Sequence, residues 1–417
     1  MHSSCATPAS TPDTALIEAG TPAFRRANLA MFLGGFATFA MLYATQPILP
    51  RLAADFAVAP STASLSVSLG TAGLAAMLIP ASVLSDRFGR QRMMKAALVL
   101  ATLIAFASAI AADFTQMLVL RVLLGAALAG LPAAAMAYLG EEVAPQAQGR
   151  AMGLYIAGNA LGGMSGRFLV ALLTDWSSWR IALAGLGALG LIATLVFRYC
   201  LPRSRHFRAR DIRPARVFAD SRALLADTGL RKLFAIAFLM MGVFTSVYNY
   251  LGFRLHLPPF SLGQTAIGAV FLLYLVGTCS SAWTGQLVDR IGRRKLLWVM
   301  ILASGAGLAL TLANHLAAVL IGVATFTFGY FGAHTTASGW VSRRAGERRA
   351  LAAALYLCSY YLGASVIGTL SGLAWEHDAW PGVTAALSLC VILALITAWR
   401  LRHLQALAGQ PALTPAT

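Results

Sequence analysis

Three cationic or titratable side chains interrupt long apolar stretches of this 417-residue chain: Arg121, Arg167 and His334. A charge placed in hydrocarbon costs about 2.5–3.5 kcal/mol on insertion scales, so each calls for a reason. A guanidinium can hold an anion, pair inside the protein or snorkel toward an interface. A histidine titrates near neutral pH and can carry a proton; its other reading is a structural hydrogen bond to a carbonyl or to Tyr330. Neutral polar groups lie within the same kind of stretch: Tyr43, Gln46, Asn159, Asn249, Tyr250 and Tyr360. Such groups either face a polar cavity or bond between helices. No Asp or Glu falls in the middle of an apolar stretch, and Glu141, Glu142 and Asp175 sit at ends. His334 or a terminal acid is left to carry a proton, unless coupling is not to protons.

A second constellation is doubled. Asp86-Arg87-Phe88-Gly89-Arg90 recurs as Asp289-Arg290-Ile291-Gly292-Arg293, each copy in a short polar gap between apolar runs. Arginines in such a gap hold it on the cytoplasmic side, but a topology signal needs no acid. Asp86 can sit at the positive end of a neighbouring helix. Arg87 and Arg90 can pair with Glu141 and Glu142, and Gly89 allows the turn. A contact made in only one conformation shifts the balance between conformations by its own free energy. The doubled loop is thus a candidate latch. The copies are unequal, since Ser82 stands where the second copy has Gly285. The first is expected to gate and the second to anchor.

These residues need long elements to position them. The chain is 58% hydrophobic and 11% charged, far below the roughly 25% charge of a soluble domain. Apolar runs of about 20 residues, enough to cross a bilayer, recur throughout. They predict twelve helices near 27–50, 61–84, 95–112, 115–139, 150–174, 179–200, 231–254, 264–287, 296–313, 316–340, 349–373 and 381–401. Strands of a barrel are excluded because period-two alternation is missing. Alternate gaps hold most of the Lys and Arg, which places those gaps and both termini in the cytoplasm. The same distribution accounts for the +17 net charge without nucleic acid.

The fold class expected is therefore all-α integral membrane, with two six-helix bundles. The boundaries read 1–23 for a disordered tail, 24–200 and 231–401 for the bundles, 201–230 for a basic linker, and 402–417 for a second tail. Arginines of the linker could also contact anionic lipid. The five cysteines lack metal or redox spacing. Span five carries Gly158, Gly162, Gly163 and Gly166, small residues that let helices approach closely.

Residues 84–92, with the fuller second copy at 285–295, resemble the loop signature between helices two and three of the major facilitator superfamily. The segments 151–159, 248–255 and 356–363 are similar to the YnfM-type bacterial inner-membrane transporters, near the twelve-span drug–proton antiporters. The resemblance covers 24–401. It implies alternating access around a central cavity lined by spans one, four, seven and ten, with proton-coupled export of a small molecule. It gives Arg121 a proton-relay or substrate-coupling role. The family's Gly-rich span-five signature is matched in part, without its Pro. Import, facilitated diffusion and a transporter-derived sensor are the rival readings. A monomer without cofactor or metal is expected, whose partners are a small substrate, protons and lipid. No lysine sits in a Gly-rich phosphate loop and no catalytic triad is evident, so an enzyme is not expected.

Overall fold

The computed structural model describes residues 16–209 and 214–401. Among these residues the chain is built from helices, with a single isolated bridge between Ile17 and Val143 in place of any sheet. In chain order they are α1 (Pro22–Leu42), α2 (Leu49–Asp55), α3 (Pro60–Phe88), α4 (Arg90–Ala109), α5 (Phe114–Leu128), α6 (Gly130–Glu142), α7 (Pro145–Trp176) and α8 (Trp179–Cys200). There follow α9 (Pro214–Ala226), α10 (Thr228–His256), α11 (Gln264–Ala269), α12 (Tyr274–Ile291), α13 (Arg293–Leu310), α14 (Leu316–Ala345) and α15 (Arg349–Arg400).

Nine helical segments among the described residues are long and apolar enough to cross a membrane. The last, Leu316–Arg400, has 85 residues and contains both α14 and α15. Asp378 and Ala379 leave helical geometry inside α15, just before Pro381. Twelve crossings require α13 to cross as well and the last segment to cross three times.

Several expected spans are broken. The first ends at Leu42 and resumes through a short 3-10 turn into α2. The fourth divides at Ala129 into α5 and α6, and the eighth divides around 270–273 into α11 and α12. Local sequence does set the helix starts. Thr21 caps α1 by accepting from Phe24 N at 3.2 Å. Asp113, Ser178 and Asp227 do the same for α5, α8 and α10, satisfying amides that the first turn leaves open. Both copies of the pentapeptide form one corner: α3 turns into α4 at Gly89 (φ 103°) and α12 into α13 at Gly292 (φ 84°). That backbone favours glycine.

Three of the four span-five glycines lie against α1. A Cβ on Gly158 or Gly162 would strike the carbonyls of Phe32 or Phe36, and one on Gly166 would lie 2.7 Å from Ala40 Cα. α7 therefore lies directly on α1. Gly363 plays the same part where α15 meets the Phe238 backbone of α10. Gly163 points elsewhere, beside the Arg167 guanidinium.

The expected tails and linker need qualification. Residues 1–15, 210–213 and 402–417 lie outside the described residues. Within the expected N-terminal tail, Ile17 N donates to Glu142 O at 2.8 Å and Ala144 N donates to Ile17 O at 3.0 Å. Within the expected linker, 214–226 is helical. Asp220 on α9 meets Arg348 at 3.0 Å, and Asp227 pairs with Arg344 at 2.7 Å. Burial raises the Asp227 pKa, but hydrogen bonds from Arg344 and the α10 amides outweigh it and hold the carboxyl below its ordinary range.

Candidate functional site

Arg167 is the centre. It projects from α7 and is 3% exposed. Its Nε donates to Gln46 Oε1 at 2.6 Å and its Nη1 to Gly163 O. The missing Cβ of Gly163 leaves room for this guanidinium. The break after α1 brings Tyr43 and Gln46 to the site, and the break at 270–273 brings Phe271 and Tyr274. The guanidinium carbon lies 4.1, 5.4 and 5.0 Å from the ring centres of Tyr43, Phe271 and Tyr274. Cation–π attraction of this kind favours a desolvated guanidinium.

Gln46 carries the network onward. Its Nε2 donates to Asn249 Oδ1 at 2.8 Å and lies 3.4 Å from Thr245 O. The site thus joins α1 and α7 of the first helix set to α10 and α12 of the second. Other bonds between the sets lie toward the same end, the one poor in Lys and Arg. Gln264 Nε2 donates to Pro47 O at 2.6 Å, Thr265 Oγ1 donates to Asp175 Oδ2 at 2.6 Å, and Ser61 bonds Glu376. Deeper in, Cys358 Sγ contacts Ala75 O at 3.5 Å.

Next to this cluster is an aromatic and histidine pocket. Tyr330 Oη lies 2.8 Å from Tyr360 Oη, and Tyr356 Oη lies 3.0 Å from His334 Nδ1. Tyr330 stacks on Phe244 at 3.9 Å between centroids and on His334 at 6.3 Å. Ile236, Met240 and Ala337 complete the walls. Of the expected residues, Tyr43, Gln46, Arg167 and Asn249 thus come together, while Tyr360 and His334 belong to the neighbouring pocket.

Others lie apart. Arg121 is held by backbone: Nε donates to Ser66 O at 2.9 Å, Nη1 to Met41 O at 3.1 Å, and Nη2 to Leu42 O. A guanidinium stays protonated in proteins, and this one spends its donors on carbonyls. That arrangement suits a clasp between α1, α3 and α5 rather than a proton relay. Arg254 is its counterpart, donating to Thr311, Leu312 and Ala313 carbonyls at the end of α13. Tyr250 is also not in the cluster: its hydroxyl donates to Gly368 O at 3.2 Å and its ring stacks on Trp375. Asn159 fills the notch that Gly35 leaves on α1. Phe271 and Tyr274 are not among the expected residues, and Tyr330 is expected only as a hydrogen-bond partner of His334. Phe271 and Tyr274 fall three residues apart, on one helix face, which was the available signal.

The two loops differ in burial. Asp86 and Arg90 are 8% and 6% exposed and form an ion pair. Arg90 Nη2 also meets Glu141 Oε1 at 3.0 Å, and its Nη1 donates to Ser85 Oγ at 3.1 Å. Arg87 instead lies over its neighbour Phe88 at 5.6 Å. Glu142 does not pair with this loop. Its Oε1 accepts from Ser204 Oγ at 2.6 Å and from Arg205 and His206 amides, while Oε2 lies 3.0 Å from His206 Nδ1. In the second copy Asp289, Arg290 and Gly292 are exposed and Arg293 is half-buried. Removing one member of a buried charge set leaves the others unbalanced, whereas exposed charges contribute little. Asp86→Asn is therefore expected to slow transport about tenfold and Asp289→Asn by less than about twofold, equivalent to about 1.4 and under about 0.5 kcal/mol. Initial flux per folded molecule would decide this, and equal losses would remove the distinction.

The family model of the Major Facilitator Superfamily matches residues 31–368 of this chain. The chain is 42% identical over 379 residues to the uncharacterized MFS-type transporter YybF of Bacillus subtilis (strain 168), covering 91% of this chain and 94% of that protein. It is 43% identical over 390 residues to the inner membrane transport protein YnfM of Escherichia coli (strain K12), covering 93% of each. In fold it is similar to a mutant of the nucleoside transporter NupG, with TM-score 0.74, 16% identity and coverage of 90% of this chain and 99% of the other. It is similar also to an inward-facing bacterial homolog of the human lysosomal transporter Spinster, with TM-score 0.73, 15% identity and coverage of 91% and 96%.

Proposed function

Since the chain belongs to the Major Facilitator Superfamily, a superfamily of secondary transporters, we propose that it moves a small solute out across a bacterial inner membrane by alternating access, in exchange for protons. The observation that carries this is the Arg167–Gln46–Asn249 network. It is buried, polar and assembled from both helix sets, where a solute bound between two rocking halves would have to lie. Residues 24–200 and 231–401 act as the halves, with twelve crossings and both termini in the cytoplasm. The bonds at the basic-poor end then close the outer side.

Among the described residues no carboxylate joins the network, so the coupling proton falls to His334. Its hydrogen bond to Tyr356 and its stacking on Tyr330 connect it to the substrate-facing rings. A potential of 100 mV supplies about 2.3 kcal/mol per charge, enough for roughly a 50-fold gradient of a neutral solute moved with one proton.

Purified protein in proteoliposomes with an imposed pH gradient tests this. Efflux should accelerate when protons run inward, and His334→Gln should abolish the acceleration while leaving counterflow at equal pH. Saturable flux indifferent to pH would instead indicate a facilitator. Flux that accelerates in the same direction as the protons would indicate a symporter.

A further inference from the structure

Three of the four buried arginines have their charge met, in one of two ways. Arg90 is paired with Asp86 and Glu141, as half-buried Arg344 is with Asp227. Arg121 and Arg254 have no acid, but each points donors at carbonyls at the C-terminal end of a helix, Met41 and Leu42 of α1 and Thr311 to Ala313 after α13, where the backbone is negative. Arg167 belongs to neither group. Its two hydrogen bonds go to a neutral amide and to one carbonyl inside α7. No carboxylate lies within ion-pair distance of it among the described residues. A guanidinium has more N–H donors than two bonds use.

The groups beside Arg167 have the same character. Gln46 gives its oxygen to Arg167 and its nitrogen to Asn249, so it orients the charge without cancelling it. The hydroxyls of Tyr43 and Tyr274 are buried and have no hydrogen-bond partner among the described residues. Both rings lie within 5.0 Å of the guanidinium carbon. Each hydroxyl can donate. A fixed cation flanked by unused donors is a receptor for an oxyanion, and an uncompensated buried charge is costly until one arrives.

We infer that the transported solute is a small organic anion, whose carboxylate or equivalent oxyanion seats on Arg167 and whose apolar body lies against Tyr43, Phe271 and Tyr274. This rests on the transport reading above and names the substrate class of that same site. A neutral solute would leave the charge uncompensated, and a cation would be repelled. Aromatic walls suit a planar or apolar body rather than a heavily hydroxylated one.

Benzoate, benzamide and benzylammonium share one ring and differ in charge. Binding of each to purified full-length protein in detergent is measured by thermal shift and by equilibrium dialysis. Benzoate should bind saturably and the other two should not. Arg167→Gln should bind benzoate about ten- to hundredfold more weakly, and Arg167→Lys should retain part of the affinity. Without ligand, Arg167→Gln should unfold at a higher temperature than the parent, because an uncompensated charge is gone; a purely structural arginine would give the opposite shift. Benzamide binding as tightly as benzoate, no benzoate binding to the parent protein, or benzoate binding indifferent to Arg167→Gln would each overturn the inference. Failure of the transport reading looks different: benzoate would bind with the same Arg167 dependence, yet the protein would not accelerate movement of benzenesulfonate, which stays ionised and does not cross lipid unaided, across reconstituted membranes.

Discussion

Oxidation of the double variant Asp175→Cys/Thr265→Cys should stop transport, and reduction should restore it. Thr265 donates to Asp175 through both its hydroxyl and its amide, at 2.6 and 3.2 Å. This tie links the end of α7 to the start of α11, beside the Gln264–Pro47 bond and above Arg167. If solute leaves through this end, the tie must break once per cycle. Hydrogen bonds of this exposed kind contribute only about 0.5–1.5 kcal/mol each and break readily, whereas a disulfide does not. The assay needs a background in which Cys5, Cys200, Cys279, Cys358 and Cys390 are Ser, with each single cysteine variant as a control. Flux should fall below about one-hundredth, because a locked population contributes nothing under a two-state cycle. Full flux with a quantitatively formed disulfide would mean that this end does not open.

The fold was legible because two signals in the sequence are strong. Apolar runs reach bilayer length, and the Asp-Arg-x-Gly-Arg corner occurs twice with the same left-handed glycine. The polar residues of the site were legible for a related reason: in an apolar span, Gln46, Asn249 and Arg167 each stand out. The breaks in the first, fourth and eighth spans were not, since residues 39–49 and 266–276 remain largely apolar across them. Tertiary contacts shape these breaks, and those contacts come from residues distant in sequence. Phe271 and Tyr274 were missed because an aromatic ring in a span reads equally as packing. The partners of Glu142 were not legible, since Glu141 and Glu142 both end the fourth span and only Glu141 meets Arg90, while Ser204 and His206 return from the expected linker. Arg121 is the reverse case: the charge is visible in the sequence, but the carbonyls that it meets are not.

Arg121→Met is expected to lower stability by about 1–3 kcal/mol, since it strands the buried carbonyl of Leu42 and removes the added bonds to Met41 O and Ser66 O. Arg121→Lys should recover little, because a single ammonium lacks the planar fork that reaches two helices at once. Thermal unfolding in detergent should show both variants several degrees below the parent, with Arg254→Met behaving alike through Thr311, Leu312 and Ala313. A proton-relay arginine would give another pattern, an unchanged unfolding temperature with lost pH dependence of flux, and that result would refute the clasp. The clasp also bears on function. By holding the carbonyls of Met41 and Leu42, Arg121 stabilises the end of α1, and that end is what delivers Tyr43 and Gln46 to Arg167. Substitution there should weaken benzoate binding along with stability, whereas Arg254→Met, acting on the end of α13, should lower stability and leave that affinity within about twofold, as expected for sites with no shared partners.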